Sequence, residues 1–469
     1  MASKKFDLAK IWDTELIKLV IAGSVDDGKS TLLGRMLFDC NDIYEDQLLS
    51  IRKTSKKGGN KNLDLSLLTD GLSSEREQKI TIDVAYRYFS TKSRRFVIAD
   101  VPGHEQYTRN MITGASCANL AIILVDASKG ILRQTKRHLF IASLLGIPHI
   151  LVAINKMDLV KFKEKRFYEV LEEVEKFSSR LKLPDIQFIP MSALNGDMVV
   201  NRGKKMNWYN GRTLYDYLEN IQINSDRNMI DFRFPIQYVT NPIQGIRGYA
   251  GIIEGGIIKK GEEVILLPSC QKTKIKNIYY NNKKQKEGFC PQSVIITLED
   301  QIDISRGDMI MRCNNRPKIN NGFEAMMCWF DNSPLKCKKS YLLKHANKTI
   351  RCHIDSIDYL INVNNFHRQK ARQLKINEIG RLKIKTISPI MFDLYKENRN
   401  TGSFILIDEI NNNTVGAGII NKNIRRDICD VISKNYFTVE IKCTSNHEKI
   451  KKEMKFYLKK RKIEFNIID

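Results

Sequence analysis

The sequence lacks an apolar run of the length that a membrane-spanning helix requires, about 18 residues. The longest runs, LAIILV from Leu120 and HILVAI from His149, have the length of a buried strand. The opening residues, MASKKFDLAKIWD, also lack the apolar core of a secretory signal peptide. We therefore expect a cytoplasmic protein that does not associate with membranes.

Paired cysteines are missing as well. The sequence has 10 cysteines, but it contains no CxxC pair and no histidine at zinc-finger spacing from one. This pattern excludes the common zinc frameworks and favours reduced, buried thiols.

Acidic residues are few relative to basic ones. The sequence has 53 Asp and Glu residues and 77 Lys and Arg residues, which gives a net charge of +24. Such a surplus can attract nucleic acid. However, Lys, Asn and Ile are frequent everywhere, including loops such as YYNNKKQKEG, and no basic stretch interleaved with aromatic residues stands out. Compositional bias is the preferred interpretation, which disfavours a nucleic-acid partner; a basic surface for a polyanion or an acidic partner is the alternative.

Two textures divide the chain. Up to about Ile223, short β-branched runs alternate with helix-like segments; the runs are KLVIAG, FVIADVPG, LAIILVDA, HILVAINK and QFIPMSA. This alternation predicts a doubly wound, mostly parallel α/β domain over residues 1–228.

From Phe232 the sequence changes to short alternating strands broken by Gly, Pro and Asn turns, as in RGYAGIIEGGIIKKGEEVILLP. This texture is typical of β-barrels or sandwiches. A weaker break near Arg316 divides it into two units, predicted as 229–316 and 317–440. The basic tail, 441–469, is either a contact arm or a solvated face.

A phosphate-binding loop is the strongest single motif. Residues 23–31 read GSVDDGKST, which fits GxxxxGK[ST] between a strand-like and a helix-like segment. Backbone N–H groups at such a helix N-terminus bind phosphate oxygens, Lys29 would reach the outer phosphates, and Ser30 would supply an oxygen to Mg²⁺. The predicted nucleotide contacts of this loop are Gly23, Ser24, Val25, Asp26, Asp27, Gly28, Lys29, Ser30 and Thr31.

The loop also carries two carboxylates, Asp26 and Asp27, which would repel a phosphate placed in their path. Two orientations remain open from the sequence. Either both side chains face away from the phosphates, or one of them approaches a bound cation or the surroundings of an attacking water.

A second motif, Asp100-Val101-Pro102-Gly103-His104, follows the apolar run FVIA. Asp100, at the end of a strand, can hold Mg²⁺ through water, and Gly103 can bring its N–H against a terminal phosphate because it has no side chain. His104 is the candidate that orients the hydrolytic water; the alternative is a surface histidine in a turn. Lys29, Thr81, Gly103 and His104 form the predicted catalytic set.

Base recognition is predicted from Asn155-Lys156-Met157-Asp158, after the strand LVAI. The Asp158 carboxylate can accept hydrogen bonds from guanine N1–H and its N2 amino group, which adenine does not offer. Leaving such a polar group unpaired enforces discrimination on the order of 10⁴. The loop Ser192-Ala193-Leu194 would present a backbone N–H to guanine O6.

Thr81 lies between these motifs, in SSEREQKITIDVAYRYF. Its hydroxyl can ligate Mg²⁺ and its N–H can contact the γ-phosphate, which would make this segment a switch that is released on hydrolysis. The alternative is an ordinary strand residue. The predicted metal ligands are thus Ser30, Thr81 and, through water, Asp100.

These motifs resemble those of the elongation-factor class of GTPases, a P-loop GTPase domain followed by two β-barrels. More narrowly, the chain resembles the GTPase subunits of the heterodimeric sulfate adenylyltransferases. The narrow resemblance covers about Leu16 to Ile420 and depends on Ser24 and on the segments IYEDQL, AYRYF, QIDISRGD and TGSFILIDEINNNTVGAG.

The resemblance implies GTP and Mg²⁺ as cofactors and a separate catalytic subunit, subunit 2, as the partner in a heterodimer or larger assembly. In this family, GTP hydrolysis is coupled to the formation of adenosine 5′-phosphosulfate and pyrophosphate from ATP and sulfate. Some members carry a fused adenylylsulfate kinase. A second GxxxxGK[ST] is missing here, so that activity is not expected.

One residue departs from the family pattern. Lys79 stands where the family usually has Gly, which would restrict the switch backbone if that position needs a positive φ.

The alternative function is a translation factor that carries aminoacyl-tRNA, since its GTPase domain would look much the same. A scaffold that has lost turnover is disfavoured because every catalytic-type residue is present.

Overall fold

The computed structural model describes residues 15–40, 65, 83–91, 93–181, 183, 185–223, 227–243, 246–362 and 365–424. The chain divides into two compact units. The first comprises Met1–Arg227, Cys328–Pro334 and Tyr359–Ile379; the second comprises Asn228–Met327, Leu335–Asp358 and Gly380–Asp469.

The first unit contains a six-stranded sheet. Its strands are β1 (Glu15–Gly23), β2 (Ala85–Ser90), β3 (Arg94–Asp100), β4 (Leu120–Asp126), β5 (His149–Asn155) and β6 (Ile186–Pro190). The order is β2-β3-β1-β4-β5-β6, and only the edge strand β2 is antiparallel to its neighbour. All five apolar runs predicted as strands form this parallel sheet, which confirms the doubly wound α/β prediction.

The carboxyl ends of the strands bring the sequence motifs to one edge of the sheet. Asp100 pairs with Ile21 of β1, and Asp126 pairs with Asn155. Strands β4 and β5 are buried along almost their whole length, because helices cover both faces of the sheet. The position of the motifs is therefore set by a rigid, apolar core.

The helices described in this unit span 7 to 15 residues, apart from one 3₁₀ turn of 3 residues. They are α1 (Lys29–Asp39), a 3₁₀ turn (Glu105–Tyr107), α2 (Thr108–Ala115), α3 (Arg133–Leu144), α4 (Glu164–Ser178) and α5 (Leu214–Asn220). The α5 helix begins with a side-chain cap, since Thr213 Oγ1 accepts from the Asp216 N–H at 3.1 Å. No helix among the described residues is long and apolar enough to cross a membrane.

The second unit begins with a β-barrel. Its strands are β7 (Arg233–Ile243), β8 (Ile246–Ile252), β9 (Ile257–Lys259), β10 (Glu263–Leu267), β11 (Lys272–Tyr280), β12 (Lys283–Gln285), β13 (Glu287–Phe289), β14 (Ser293–Leu298) and β15 (Met309–Arg312). Six of them follow the order β10-β15-β7-β8-β14-β11, and pairing of β10 with β11 closes the ring. Alternate side chains of these strands fill the interior, among them Phe234, Tyr249 and Ile296.

A second barrel follows. Its strands are β16 (Lys318–Trp329), β17 (Ser340–His345), β18 (Lys348–Ile361), β19 (Arg368–Gln369), β20 (Ile379–Phe392), β21 (Ser403–Ile407) and β22 (Thr414–Asn423). The ring runs β17-β21-β22-β16-β20-β18 and is closed by pairing of β17 with β18. Two β-barrels after the α/β domain are as predicted.

The two barrels of the second unit share buried contacts. Arg233 of β7 and Asp393, just after β20, form a bidentate ion pair with both N–O distances at 2.9 Å. Thr401 Oγ1 donates to the same carboxylate at 2.7 Å. An apolar cluster formed by strands of both barrels lies within the same unit and includes Met311 and Met391.

Two expectations need comment. The domain limits 1–228, 229–316 and 317–440 stay predictions, and the tail 441–469 lies outside the described residues. Of the eight described free cysteines, Cys290, Cys328 and Cys352 are buried, but Cys117 and Cys337 are exposed. The expectation of buried thiols is therefore wrong for those two.

Candidate nucleotide site

The phosphate loop, residues 23–31, begins at the last residue of β1 and runs into the first turn of α1. Gly28 precedes the helix with φ 93° and ψ 29°, a left-handed conformation that favours glycine. A Cβ at Gly28 would also lie 2.5 Å from Asn155 Nδ2. Both the backbone angle and the lack of space require glycine here.

Lys29 is folded into its own loop. Its ammonium donates to the carbonyl oxygens of Gly23 at 3.0 Å and Ser24 at 2.9 Å, and the residue is buried. Burial lowers the pKa of Lys29, while the nearby carboxylates of Asp100, Asp27 and Asp26 oppose that shift. A polyphosphate would supply the negative charge that this buried ammonium needs.

The two carboxylates of the loop have different environments. Asp27 is buried and its Oδ2 accepts from the Ser24 N–H at 2.6 Å, so the side chain turns back on the loop. Asp26 is exposed and has φ 66°. Of the two open orientations, the structure supports the first for Asp27, whose carboxylate is bound within the loop itself.

Burial raises the pKa of Asp27 to about 6, against the lowering effects of the Ser24 hydrogen bond and of Lys29. Its other oxygen, Oδ1, is buried and accepts no hydrogen bond from any described residue. Burial therefore destabilises the ionised carboxylate of Asp27 at neutral pH.

The remaining loop side chains lie close to α1. Val25, Ser30 and Thr31 are half-buried, and Ser30 lies in the first turn of the helix. Ser24 is buried. The role of the Ser30 hydroxyl as a Mg²⁺ ligand stays a prediction.

The Asp100–His104 loop packs directly on the phosphate loop. A Cβ at Gly103 would lie 2.7 Å from both Gly23 O and Lys29 Nζ. Asp100, Val101 and Pro102 are buried with it. Only a glycine can approach the phosphate loop this closely, as the prediction for Gly103 requires.

His104 is exposed at the end of this loop. Its ring contacts Tyr107 edge-on, with centroids 6.4 Å apart, and its carbonyl accepts from the Tyr107 N–H at 3.1 Å. The imidazole is thus exposed to solvent beside Gly103. Its catalytic role stays a prediction.

Asn155 joins three segments of the site. Its Nδ2 donates to the Asp27 carbonyl at 2.9 Å, and its Oδ1 accepts from the Ala193 N–H at 2.9 Å. The residue is buried. Its amide therefore fixes the distance between the phosphate loop and the Ser192–Leu194 segment.

Lys156 adopts φ 61°, and its ammonium donates to Asp126 Oδ2 at 3.0 Å. Burial alone would raise the pKa of Asp126, but hydrogen bonds from Ser128 and Lys156 outweigh it and lower the pKa. Asp126 thus stays ionised and orients Lys156. Met157, the next residue, is buried.

Asp158 is oriented by Ser192, whose hydroxyl donates to Asp158 Oδ1 at 2.6 Å. Ser192 is buried, and its own N–H donates to the Asp197 carbonyl at 3.1 Å. Leu194, in contrast, is exposed. Asp158 and Asn155 thus contact two successive residues of the same loop, Asp158 through the Ser192 hydroxyl and Asn155 through the Ala193 N–H.

Thr81 and Lys79 lie outside the described residues. The proposed switch contacts of Thr81, and the effect of Lys79 on the switch backbone, stay predictions.

Comparison with known families supports the nucleotide site. The model of the elongation factor Tu GTP binding domain matches residues 14–225, and that of the GTP-eEF1A C-terminal domain-like family matches residues 322–421. The matched ranges cover the α/β domain and most of the second barrel.

Curated relatives narrow the assignment. Sulfate adenylyltransferase subunit 1 of Bacteroides fragilis is 50% identical over 88% of this chain and 87% of its own length. The chain belongs to the sulfate adenylyltransferase subunit 1 family. The subunit 1 protein of Alteromonas mediterranea is 52% identical, over 88% of each chain. The bifunctional enzyme CysN/CysC of Rhodopirellula baltica is 51% identical over 87% of this chain, which spans 63% of that longer protein.

In this subunit 1 chain, three site residues escaped the motif analysis. Asp126 is the last residue of β4 and pairs with Lys156. Its place at the carboxyl end of the run LAIILV is a sequence signal that could have identified it. Gln134 donates to the Gly103 carbonyl at 2.9 Å, and Arg35 donates to the Ala193 and Leu194 carbonyls. No sequence signal marks those two, because their partners are backbone atoms far away in the chain.

Proposed function

We propose that this chain is the GTPase subunit of a sulfate adenylyltransferase. GTP and water would be converted to GDP and phosphate, and this hydrolysis would be coupled to the synthesis of adenosine 5′-phosphosulfate and pyrophosphate from ATP and sulfate. The adenylyl transfer itself would occur on a separate catalytic subunit. One observation carries the proposal: a chain 50% identical to a subunit 1 protein over 88% of its length retains every nucleotide-site motif.

GTP would lie along the carboxyl edge of the sheet. The phosphate loop and Lys29 would bind the phosphates, because N–H groups at the start of α1 and a buried ammonium converge there. Asp158, oriented by Ser192, would accept from the guanine N1–H and N2 amino group. Asn155 would keep the two halves of the site at a constant distance.

The donor set fits Mg²⁺. Ser30 offers a hydroxyl oxygen and Asp100 a buried carboxylate at the end of β3, next to the phosphate loop strand. Oxygen ligands with few protein contacts, completed by water and phosphates, are those that Mg²⁺ prefers. When bound, the ion would neutralise charge on the phosphate oxygens. Thr81 would complete the set.

Hydrolysis would depend on the Asp100–His104 loop. Gly103 lies against Lys29 and Gly23, so its N–H would meet a terminal phosphate held by the phosphate loop. His104, exposed beside it, would orient the attacking water. Loss of the γ-phosphate would remove the contact that holds this loop to the nucleotide, which is how a switch GTPase signals its state.

The partner would be the catalytic subunit of the sulfate adenylyltransferase, in a cytoplasmic heterodimer or larger assembly. The name "subunit 1" of the relatives implies that those proteins have a partner. A partner that orders the switch segments would raise the hydrolysis rate without supplying a residue of its own.

Coupled turnover tests the proposal. The purified chain is mixed with the catalytic subunit of a heterodimeric sulfate adenylyltransferase, ATP, sulfate and GTP, and both pyrophosphate and inorganic phosphate are measured. We expect pyrophosphate formation to rise with GTP and phosphate to be released in step. Replacing GTP by a non-hydrolysable analogue should abolish the increase.

Two results would contradict the proposal. One is pyrophosphate formation that does not respond to GTP although the chain binds the nucleotide. The other is tight, salt-sensitive binding of aminoacyl-tRNA, which would favour a translation factor.

A further inference from the structure

Arg35, a half-buried residue of α1, connects the phosphate-binding helix to the loop that would read the guanine base. Its Nε donates to the Ala193 carbonyl at 3.2 Å, and its NH2 donates to the Leu194 carbonyl at 2.6 Å. We propose that Arg35 is a positioning residue for guanine recognition, because it fixes the peptide groups that present an N–H to O6. This inference rests on the proposed GTP site.

The loop that Arg35 contacts, Ser192–Asp197, is closed on itself; we call it the base loop. The Ser192 N–H donates to the Asp197 carbonyl at 3.1 Å, and the Gly196 N–H donates to the Ser192 carbonyl at 2.8 Å. These bonds leave the Ala193 and Leu194 carbonyls to the guanidinium of Arg35. The base loop is therefore held from inside by its own bonds and from α1 by one side chain.

Because the peptide group is planar, the contact between Arg35 and the Ala193 carbonyl also determines the direction of the next N–H group. In a trans peptide, the carbonyl of one residue and the N–H of the next point in opposite directions. Because Arg35 binds the Ala193 carbonyl, the Leu194 N–H must point away from Arg35. The Ala193 N–H is already bonded to Asn155 Oδ1 at 2.9 Å. Of the N–H groups of Ser192, Ala193 and Leu194, only that of Leu194 donates to no described residue, so it is the one of these three that remains for O6.

The surroundings of Arg35 keep its guanidinium in place. Its NH1 pairs with Asp39 Oδ1 at 3.5 Å, one helical turn later, with side chains 19% and 14% exposed. A Cβ on Gly196 would lie 3.5 Å from Arg35 Cδ and 3.6 Å from Asp39 Oδ2. The base loop thus lies against the Arg35–Asp39 pair at a residue without a side chain.

The planar fork of arginine is needed for this geometry. Nε and NH2 reach two successive carbonyl oxygens while NH1 faces Asp39. A lysine ammonium keeps the charge, but it cannot hold two carbonyls in fixed directions and also pair with Asp39. Arg35→Lys should therefore weaken GDP binding less than Arg35→Met does.

Nucleotide analogues separate positioning from general damage. We measure the dissociation constants of GDP, inosine diphosphate and 2-aminopurine riboside diphosphate for the wild-type chain and for Arg35→Met. Inosine keeps O6 and lacks the N2 amino group, whereas 2-aminopurine lacks O6. We expect Arg35→Met to weaken GDP and inosine diphosphate equally, by roughly tenfold for one misdirected hydrogen bond, and to leave the 2-aminopurine analogue nearly unaffected.

Equal weakening of all three nucleotides would overturn the proposal, because loss of α1 or of the phosphate loop would not depend on O6. Unchanged GDP binding by Arg35→Met would overturn it as well. Asp39→Asn is the matched control, since it removes the ion pair and leaves both carbonyl contacts. It should retain most of the GDP affinity; a loss as large as that of Arg35→Met would contradict a role for the carbonyls.

The proposed function fails by a different result. If the wild-type chain binds none of the three nucleotides, the GTP site itself is wrong. If the wild-type chain binds GDP and Arg35→Met weakens all three nucleotides equally, only the role of Arg35 is wrong. Circular dichroism melting of each variant establishes that the comparison is made between folded proteins.

Discussion

Asp27 Oδ2 accepts a hydrogen bond from the Ser24 N–H at 2.6 Å, three residues earlier in the phosphate loop. This hydrogen bond occupies a backbone N–H of the loop that could otherwise bind phosphate. It also places a buried carboxylate near Lys29. Asp27 therefore holds the conformation of the loop, but its carboxylate loses its contact with solvent.

The pH dependence of stability tests this environment. Burial raises the pKa of Asp27 from 3.8 to about 6. Between these values the folded protein retains a proton that the unfolded chain has released, so the free energy of unfolding falls as pH rises, by ~3 kcal/mol in total. The loss is complete above the folded pKa. Asp27→Asn keeps an oxygen for the Ser24 N–H and should remove this fall, so it should stabilise the nucleotide-free protein at pH 8 but not at pH 3.5.

Urea unfolding followed by tryptophan fluorescence measures the effect, since Trp208 lies in the α/β domain that carries Asp27. Glu172→Gln, which removes one negative charge from the exposed face of α4, is the control for charge alone. Identical pH profiles for wild type and Asp27→Asn would contradict the assignment.

The orientation of Asp27 shows what the sequence could not predict. GxxxxGK[ST] between a strand and a helix was enough to locate the phosphate loop, because its spacing reflects helix geometry and backbone N–H groups. The direction of a carboxylate within that loop depends on burial by β-strands far away in the chain. For the same reason Arg35 and Gln134, whose partners are backbone carbonyls, left no pattern.

The strands were predictable for a different reason. Runs such as LAIILV are apolar throughout because both faces of a parallel sheet are buried. The edge strand β2, AYRYFS, alternates exposed and half-buried residues, and the sequence did not separate it from the switch segment. Closure of the two barrels depends on pairing between distant strands, and texture alone predicted the barrels but not their order.

His104→Ala should slow GTP hydrolysis and spare GTP binding. If the imidazole orients the attacking water, its loss should reduce the single-turnover rate by roughly a hundredfold. The dissociation constant for GTP should stay the same, since His104 is exposed at the rim of the loop. His367→Gln, at another exposed histidine, is the control. A parallel loss of binding and rate would show that His104 holds the loop rather than the water.

Asp158→Asn should exchange the base that the site accepts. The amide presents an N–H where guanine also presents donors, so GDP affinity should fall on the order of a hundredfold. Xanthosine diphosphate, which has a carbonyl oxygen at C2, should gain affinity. Isothermal titration with both nucleotides measures the change. Retained preference for GDP would place the base elsewhere.

Arg233→Met should destabilise the second unit. Arg233 and Asp393 are both buried, and removal of one partner leaves a buried charge, at a cost of about 3–5 kcal/mol. The double variant Arg233→Met with Asp393→Leu should recover much of this loss, because no unpaired charge remains. Calorimetric melting of the four members of the cycle measures the coupling.

An exposed pair provides the comparison for that cycle. Arg247 and Asp303 lie 3.5 Å apart with side chains 53% and 99% exposed. Breaking it with Arg247→Met should change stability by less than ~1 kcal/mol. Similar losses at the two sites would mean that burial of the Arg233 pair contributes little.

The Arg233–Asp393 pair has a consequence for how the two barrels can move. Because a desolvated ion pair and a shared apolar cluster join the two barrels, neither barrel can tilt alone without exposing charge. A protein that binds one barrel and shifts it would therefore move both barrels together as one rigid body.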